Sequence, residues 1–233
     1  MARSKSASAA KSKEASAGAV SGNRNEKLAD TAYERILDAV LSGEYAPGTP
    51  LQERRLSELI DVSRTPIREA LRRLETEGVI GRKGKRYLFV REIPVREIVE
   101  VLFVRELLEA KAVELAAKRI SREALSDLRQ RAEALLADKS YSDADKVKFD
   151  NLLHDTIASA SGVAVLAEMI KELRRRTLMF NIKRMPERSQ PVLDEHLTIL
   201  DALERGDAEA AKAATAVHIN NIKTSIISKL SEI

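Results

Sequence analysis

Three histidines and one aspartate hold the metal-capable chemistry of this chain. With no cysteine among 233 residues, thiolate sites and disulfides are excluded, and His154, His196 and His218 are the only imidazoles. Asp150 precedes His154 by four residues, so on a helix the two side chains share a face. One carboxylate with three imidazoles is a borderline donor set suited to zinc, nickel, manganese or iron. The same spacing also serves an ordinary surface or core pair, and taken alone it leaves both readings open.

A second chemistry lies further toward the N-terminus. Arg64, Arg68 and Arg72 recur every four residues and form one ridge, while Ile67, Ala70, Leu71 and Leu74 form an apolar stripe on the same segment. Ser63 stands where an N-cap belongs, and Pro66 falls in the first turn, where a missing N–H costs little. Docked by its oily face, such a helix presents guanidiniums to a DNA major groove; the alternative is a plain amphipathic helix with a solvated face. From Gln52 to Arg91 there are eleven Lys/Arg against six Asp/Glu, the local excess that a polyanion requires.

The elements that must position these groups follow from pattern. Residues 1–26 are Ala/Ser/Lys-rich without apolar periodicity and are expected to be a disordered basic tail. Leu28 to Leu41 predicts a helix with Ala32, Ile36, Leu37, Val40 and Leu41 inward, stopped by Gly43 and the Pro47-Gly48 turn. A second helix begins at Arg54, with Leu56, Leu59 and Ile60 as core contacts, and Arg54 and Arg55 read as a phosphate-positioning pair. After the arginine helix, apolar β-formers flank a glycine-centred basic tip, Lys83-Gly84-Lys85-Arg86. That predicts a two-stranded wing of undetermined register, with Lys83, Lys85 and Arg86 within reach of phosphate and Gly84 allowing close approach. The expected DNA-binding domain is therefore a winged helix-turn-helix, three helices plus a hairpin, over 27–91.

Glu92-Ile93-Pro94 reads as a linker, and from residue 92 onward the balance turns to 22 Lys/Arg against 24 Asp/Glu. Everything over 95–233 reads as helix. The expected spans are Val95 to Ile120, Ser121 to Ala137, Ser142 to Ser161, Val165 to Lys183, Ser189 to Glu204, and a last one to Lys229. This predicts a mainly α chain ending in an antiparallel bundle of about six helices. Arg105 sits in the apolar stripe Ile98, Val101, Leu102, Leu108, Ala112, Leu115, where an unpaired charge is costly, so it needs an anion partner. That partner is either a bound ligand or a carboxylate of the protein. Arg174-Arg175-Arg176 reads as a solvated charge run. Apolar runs are too short to span a membrane, so the protein is expected to be cytoplasmic, at the nucleoid if it binds DNA.

Pro47 to Ile80, and SRTPIREAL within it, resembles the winged-helix signature of the GntR family of bacterial transcription regulators, in its FadR-type branch. The resemblance implies that Arg54, Arg64, Thr65 and Arg68, beside Ser63, contact bases and phosphates, and that Gly84 enters a minor groove. Asp61 departs from the family's usual turn glycine, but aspartate tolerates left-handed backbone. The C-terminal part resembles the FCD ligand-binding domain through Phe149-Asp150 to His154, Glu195-His196 to Ile199, and His218. That resemblance implies metal ligation by Asp150, His154, His196 and His218, and an effector-facing role for Arg105. Val163, where the family often has Asn, leaves this intact. The combined expectation is a homodimeric regulator, most often a repressor. It would sit on a short palindromic operator in double-stranded DNA and respond to a small carboxylic acid at a divalent metal (Zn, Ni or Mn). Alternatively the metal itself is the signal. A metalloenzyme with a fused DNA-binding module ranks below both, since no general base stands beside the site.

Overall fold

The apolar stripes read above become helices in a computed structural model of the chain, which describes residues 25–84, 87–138, 140–181 and 189–231. The expected tail lies outside the described residues, except that Asn25 and Glu26 already belong to the first helix. The chain divides into two units, one ending at Glu92 and the other beginning at Ile93.

In the first unit, α1 (25–41) buries Ala29, Ala32, Ile36 and Val40, while Leu37 and Leu41 are only half-buried at its flanks. The short strand β1 (Pro50–Leu51) precedes α2 (Glu53–Ile60) and α3 (Arg64–Thr76), and the wing is β2 (Ile80–Lys83) with β3 (Tyr87–Val90). Leu59 is not a core contact: it is 64% exposed, and Leu56 and Ile60 alone carry the buried side of α2. Between α2 and α3, Asp61 takes φ 59°, ψ 46° and caps α2 through its N–H to the Ser57 carbonyl, so the turn forms without glycine. Ile67, Ala70, Leu71 and Leu74 are all buried, as their spacing predicts.

The wing has a definite register, Ile80 opposite Val90 and Lys83 opposite Tyr87. A third strand joins it that the sequence reading lacked. Pro50 pairs with Phe89 and Leu51 with Leu88, giving the order β1-β3-β2. Pro50 has no N–H to give, which an edge strand tolerates.

The second unit is all helix: α4 (Val95–Ala116), α5 (Arg122–Ala137), α6 (Asp143–Ala160), α7 (Ala164–Asn181), α8 (Ser189–Glu204) and α9 (Ala208–Ser231). Ser121 caps α5 by accepting from the Ala124 N–H, and Ser142 with Asp145 forms a capping box at α6. Helix α4 is central, packed on α6, α7 and α9, with α5 and α8 completing the bundle. It ends at Ala116, four residues before the expected Ile120. Its buried stripe is also rotated from the expected one. Leu108 and Leu115 are half-buried flanks, and Glu109 and Val113 take the inward positions beside Arg105 and Ala112. Periodicity weighs oil, and a paired Arg and Glu inside the stripe mislead it. No helix among the described residues is long and apolar enough to cross a membrane.

Candidate metal centre and nucleic-acid interface

The interface candidate is built on α3. Its buried apolar residues fix the helix by one side, which leaves Arg64 and Arg68 exposed on the other. Arg68 is held by Glu53, with Nε–Oε1 at 3.2 Å and Nη2–Oε2 at 3.0 Å, and Arg54 by Glu58 at 2.9 Å. Both pairs are solvent-exposed and therefore weak, so neither locks its guanidinium away from another anion. Arg64 has no carboxylate within ion-pair distance among the described residues, and its charge is felt by Glu53, whose carboxyl lies below its usual range mainly through Arg68. Arg55 and Thr65 are exposed; Ser63 occupies the N-cap position, but its hydroxyl makes no cap hydrogen bond.

At the wing tip, Lys83 is exposed and Gly84 has φ 64° with open space around it; Lys85 and Arg86 lie outside the described residues. Sequence reasoning missed Arg82, whose Nε and Nη2 each lie 2.6 Å from an oxygen of Glu75, tying the wing strand to α3. Nothing in the seven-residue spacing announces that pair.

The metal candidate is built by three helices. Asp150 and His154 come from α6, His196 from α8 and His218 from α9, and one ligand atom from each falls within 4.8 Å of the others. The three imidazoles are fully or almost fully buried. Asp150 Oδ1 is 3.3 Å from His196 Nε2 and 3.8 Å from His154 Nε2.

Two of the rings have an outer carboxylate. His154 Nδ1 lies 2.8 Å from Glu109 Oε2, and His218 Nδ1 lies 2.8 Å from Glu195 Oε2. An ionised carboxylate only accepts, so the His218 hydrogen bond puts the proton on Nδ1 and leaves its Nε2 a lone pair; the His154 contact is close but outside hydrogen-bond geometry. The Nε2 atoms of all three histidines are buried without a hydrogen bond among the described residues. Each such orphan costs on the order of 1–3 kcal/mol, and one cation at their common focus would satisfy all three. The donor set therefore fits a divalent ion.

Protonation suits this too. Burial, reinforced by the Arg174 charge, pushes His154 down to about 3 against the opposing pull of Glu109. Burial likewise lowers His218, although its bond to Glu195 resists. For Asp150 and Glu109 burial alone would raise the carboxyl. The guanidiniums of Arg174 and Arg105 respectively overcome it, aided by the histidines, and hold both well below the usual range. His154 and His218 are thus held neutral and Asp150 and Glu109 ionised, the state in which such groups bind metal.

Arg105 is buried and donates from Nε to Glu109 Oε1 at 2.6 Å, so its partner here is a carboxylate of its own helix. Arg174 is no solvated residue. It is 3% exposed and donates from Nη2 to Asp150 Oδ2 at 2.6 Å, with the Asp150 carbonyl at 3.1 Å and Asn151 Oδ1 at 3.3 Å. Arg175 and Arg176 are half-buried. Glu109, Glu195 and Arg174 are the site residues that the sequence reading did not single out; the i,i+4 step from Arg105 to Glu109 was the available signal for the first. Beside His154 and Glu109 the helices leave a cavity of only about 10 Å³, room for about one water, walled by Ile157, Ala158, Ile170 and Ile199 with Thr215.

Comparison with known proteins matches both halves. Residues 28–90 match the bacterial regulatory proteins of the gntR family, and residues 100–221 match the FCD domain. The chain is 28% identical over 188 residues to the HTH-type transcriptional repressor RspR of Escherichia coli, covering 78% of this chain and 81% of that protein. It is 29% identical over 178 residues to the gluconate operon transcriptional repressor of Bacillus licheniformis, covering 73% of each. Among solved structures, E. coli McbR/YncC shares the fold with a TM-score of 0.77 at 23% identity, over 87% of this chain and 98% of that one.

Proposed function

This chain belongs to the GntR family of bacterial regulatory proteins and carries an FCD domain, which makes it a DNA-binding transcription regulator and not an enzyme, and we propose that it is a homodimeric repressor whose operator binding is set by a small carboxylate held at a divalent metal. The observation that carries the metal half is the convergence of three buried, hydrogen-bond-orphaned Nε2 atoms and Asp150 Oδ1. Asp150, His154, His196 and His218 would hold the ion, and Glu109 and Glu195 would orient two of the rings. The ion, when bound, supplies a Lewis-acidic seat for an oxygen ligand.

Charge supports an anionic effector. Two buried guanidiniums, Arg105 and Arg174, lie at the site, and a divalent ion would add two positive charges beside them. On the DNA side, Arg54, Arg55, Ser63, Arg64, Thr65 and Arg68 would read and grip a half-site, with Lys83, Gly84 and Lys85 at the neighbouring groove. Two copies on a two-fold axis match a palindrome. An effector switches such a protein only by binding one arrangement better than another.

The test is an operator selected from random duplexes and followed by fluorescence anisotropy. Small carboxylic acids are then added to metal-loaded and chelator-treated protein. Release or tightening by an acid only in the loaded protein supports the reading. An acid effect that survives metal removal refutes the metal-borne pocket, and an effect of metal alone favours direct metal sensing.

A further inference from the structure

We propose that Arg174 is a positioning residue of the metal centre: by taking Asp150 Oδ2 it leaves Oδ1 alone to serve the ion, and so keeps two coordination positions open for an exogenous chelating ligand. This rests on the metal reading above and adds what sets the number of open positions.

Helix α7 supplies none of the four ligands, yet it sends the most deeply buried arginine of its run onto one of them. The two buried guanidiniums differ in kind. Arg105 satisfies itself on Glu109 of its own helix, one turn away. Arg174 crosses to α6, and its partner is the ligand carboxylate itself, 2.6 Å from Nη2. The same nitrogen also reaches the Asp150 carbonyl oxygen and Asn151 Oδ1, so the guanidinium is fixed by α6 backbone and side chain together.

The carboxylate is thereby divided. Oδ2 faces Arg174, and Oδ1 faces the imidazoles, 3.3 Å from His196 Nε2. A buried aspartate without that restraint is free to turn both oxygens to a divalent ion, as carboxylates do in mono- or bidentate fashion. With three imidazole nitrogens, one oxygen fills four positions of a six-coordinate ion and leaves two. Two oxygens leave one. An effector binding through a pair of oxygens needs the former, so Arg174 selects for chelating acids without touching them.

The probes are Mn2+, which favours six-coordination, with oxalate as a two-oxygen ligand and azide as the one-donor control. Water-proton relaxation of the Mn2+-loaded full chain counts exchangeable waters. We expect two in the wild type, and oxalate displaces both. Arg174→Gln should retain one, and should bind oxalate about 10-fold or more weakly while azide changes by less than about 3-fold, the scale at which outer contacts tune metal sites. Arg174→Lys should recover part of the water count. An unchanged water count in a folded, Mn2+-binding Arg174→Gln overturns the proposal, since a merely structural role leaves that number alone.

Should the variants not fold, a crystal of Mn2+-loaded wild type decides. Monodentate Asp150 with Arg174 on its second oxygen upholds the proposal. Bidentate Asp150 overturns it and leaves the metal reading standing. Wild-type protein that takes up no metal overturns both.

Discussion

Replacing His196 with alanine should leave the metal-free protein nearly as stable as before and abolish its stabilisation by metal. The side chain is fully buried among His154, His218 and Phe149. Deleting a buried side chain of this size costs about 2–4 kcal/mol through lost contacts and the cavity left behind. Both His196 nitrogens, however, are buried without a hydrogen bond among the described residues. Removing two orphans returns about 1–3 kcal/mol each, so the metal-free variant should be destabilised by no more than about 2 kcal/mol. Metal changes the comparison. At a free ion concentration a hundred times Kd, binding adds about 2.7 kcal/mol to the wild type. For a unit of this size each kcal/mol shifts Tm by roughly 2–4 °C, so the expected shift is about 5–11 °C. Loss of one of four ligands lowers affinity by about 100-fold or more, since outer contacts alone are worth 10–100-fold. At the same ion concentration the variant then gains only about 0.4 kcal/mol, a shift near 1 °C. The assay is a thermal melt of chelator-stripped protein in buffered Zn2+ or Ni2+, with metal content measured on the same samples. If His196→Ala kept more than half of the wild-type shift, the ligand assignment and the orphan-nitrogen argument would both fall.

Three further perturbations separate the parts. Arg64→Ala should weaken operator binding and reduce the slope of log K against log salt by about 0.9 if Arg64 grips a phosphate, with metal content unchanged; equal affinity in anisotropy removes it from the interface. Arg129 links α5 to α8 through Asp201 at 2.5 Å and Glu204 at 2.7 Å. Its side chain is partly exposed, so Arg129→Ala should cost only about 1 kcal/mol by urea titration, and a loss of several would mean the network is buried in solution. Metal-free protein should lose stability as pH falls from about 6.5 toward 3. The fold holds His154 neutral, with its pKa lowered to about 3, while the unfolded chain takes up that proton near the ordinary 6.5. Below 6.5 the unfolded state therefore binds more protons and gains, and above it this contribution is complete. A urea midpoint flat across that window contradicts a buried neutral imidazole.

What could be read from the sequence depended on whether the partner of each group lay nearby in the chain. The α3 stripe needs only residues within two turns, and Ile67, Ala70, Leu71 and Leu74 are all buried as their spacing requires. Strand β1 is two residues long, and its hydrogen bonds go to Leu88 and Phe89 nearly forty positions away, so no local alternation marks it. The same distinction divides the buried charges. Arg105 interrupts an apolar stripe, and its need for an anion was legible because that stripe is local. The anion was one helical step on at Glu109, which the apolar pattern had assigned to the outside. Arg174 sits among three consecutive arginines, and composition alone makes that a solvated face. Asp150 lies 24 residues earlier on another helix, and only tertiary packing brings its carboxylate to the guanidinium. A buried charge is admitted to a core by its partner and not by its own neighbours, so local pattern systematically misplaces cross-helix ion pairs. The histidines escaped this limit because a donor set is recognised by residue type. Their outer contacts, through Glu109, Glu195 and Arg174, belong to packing and had to be found there.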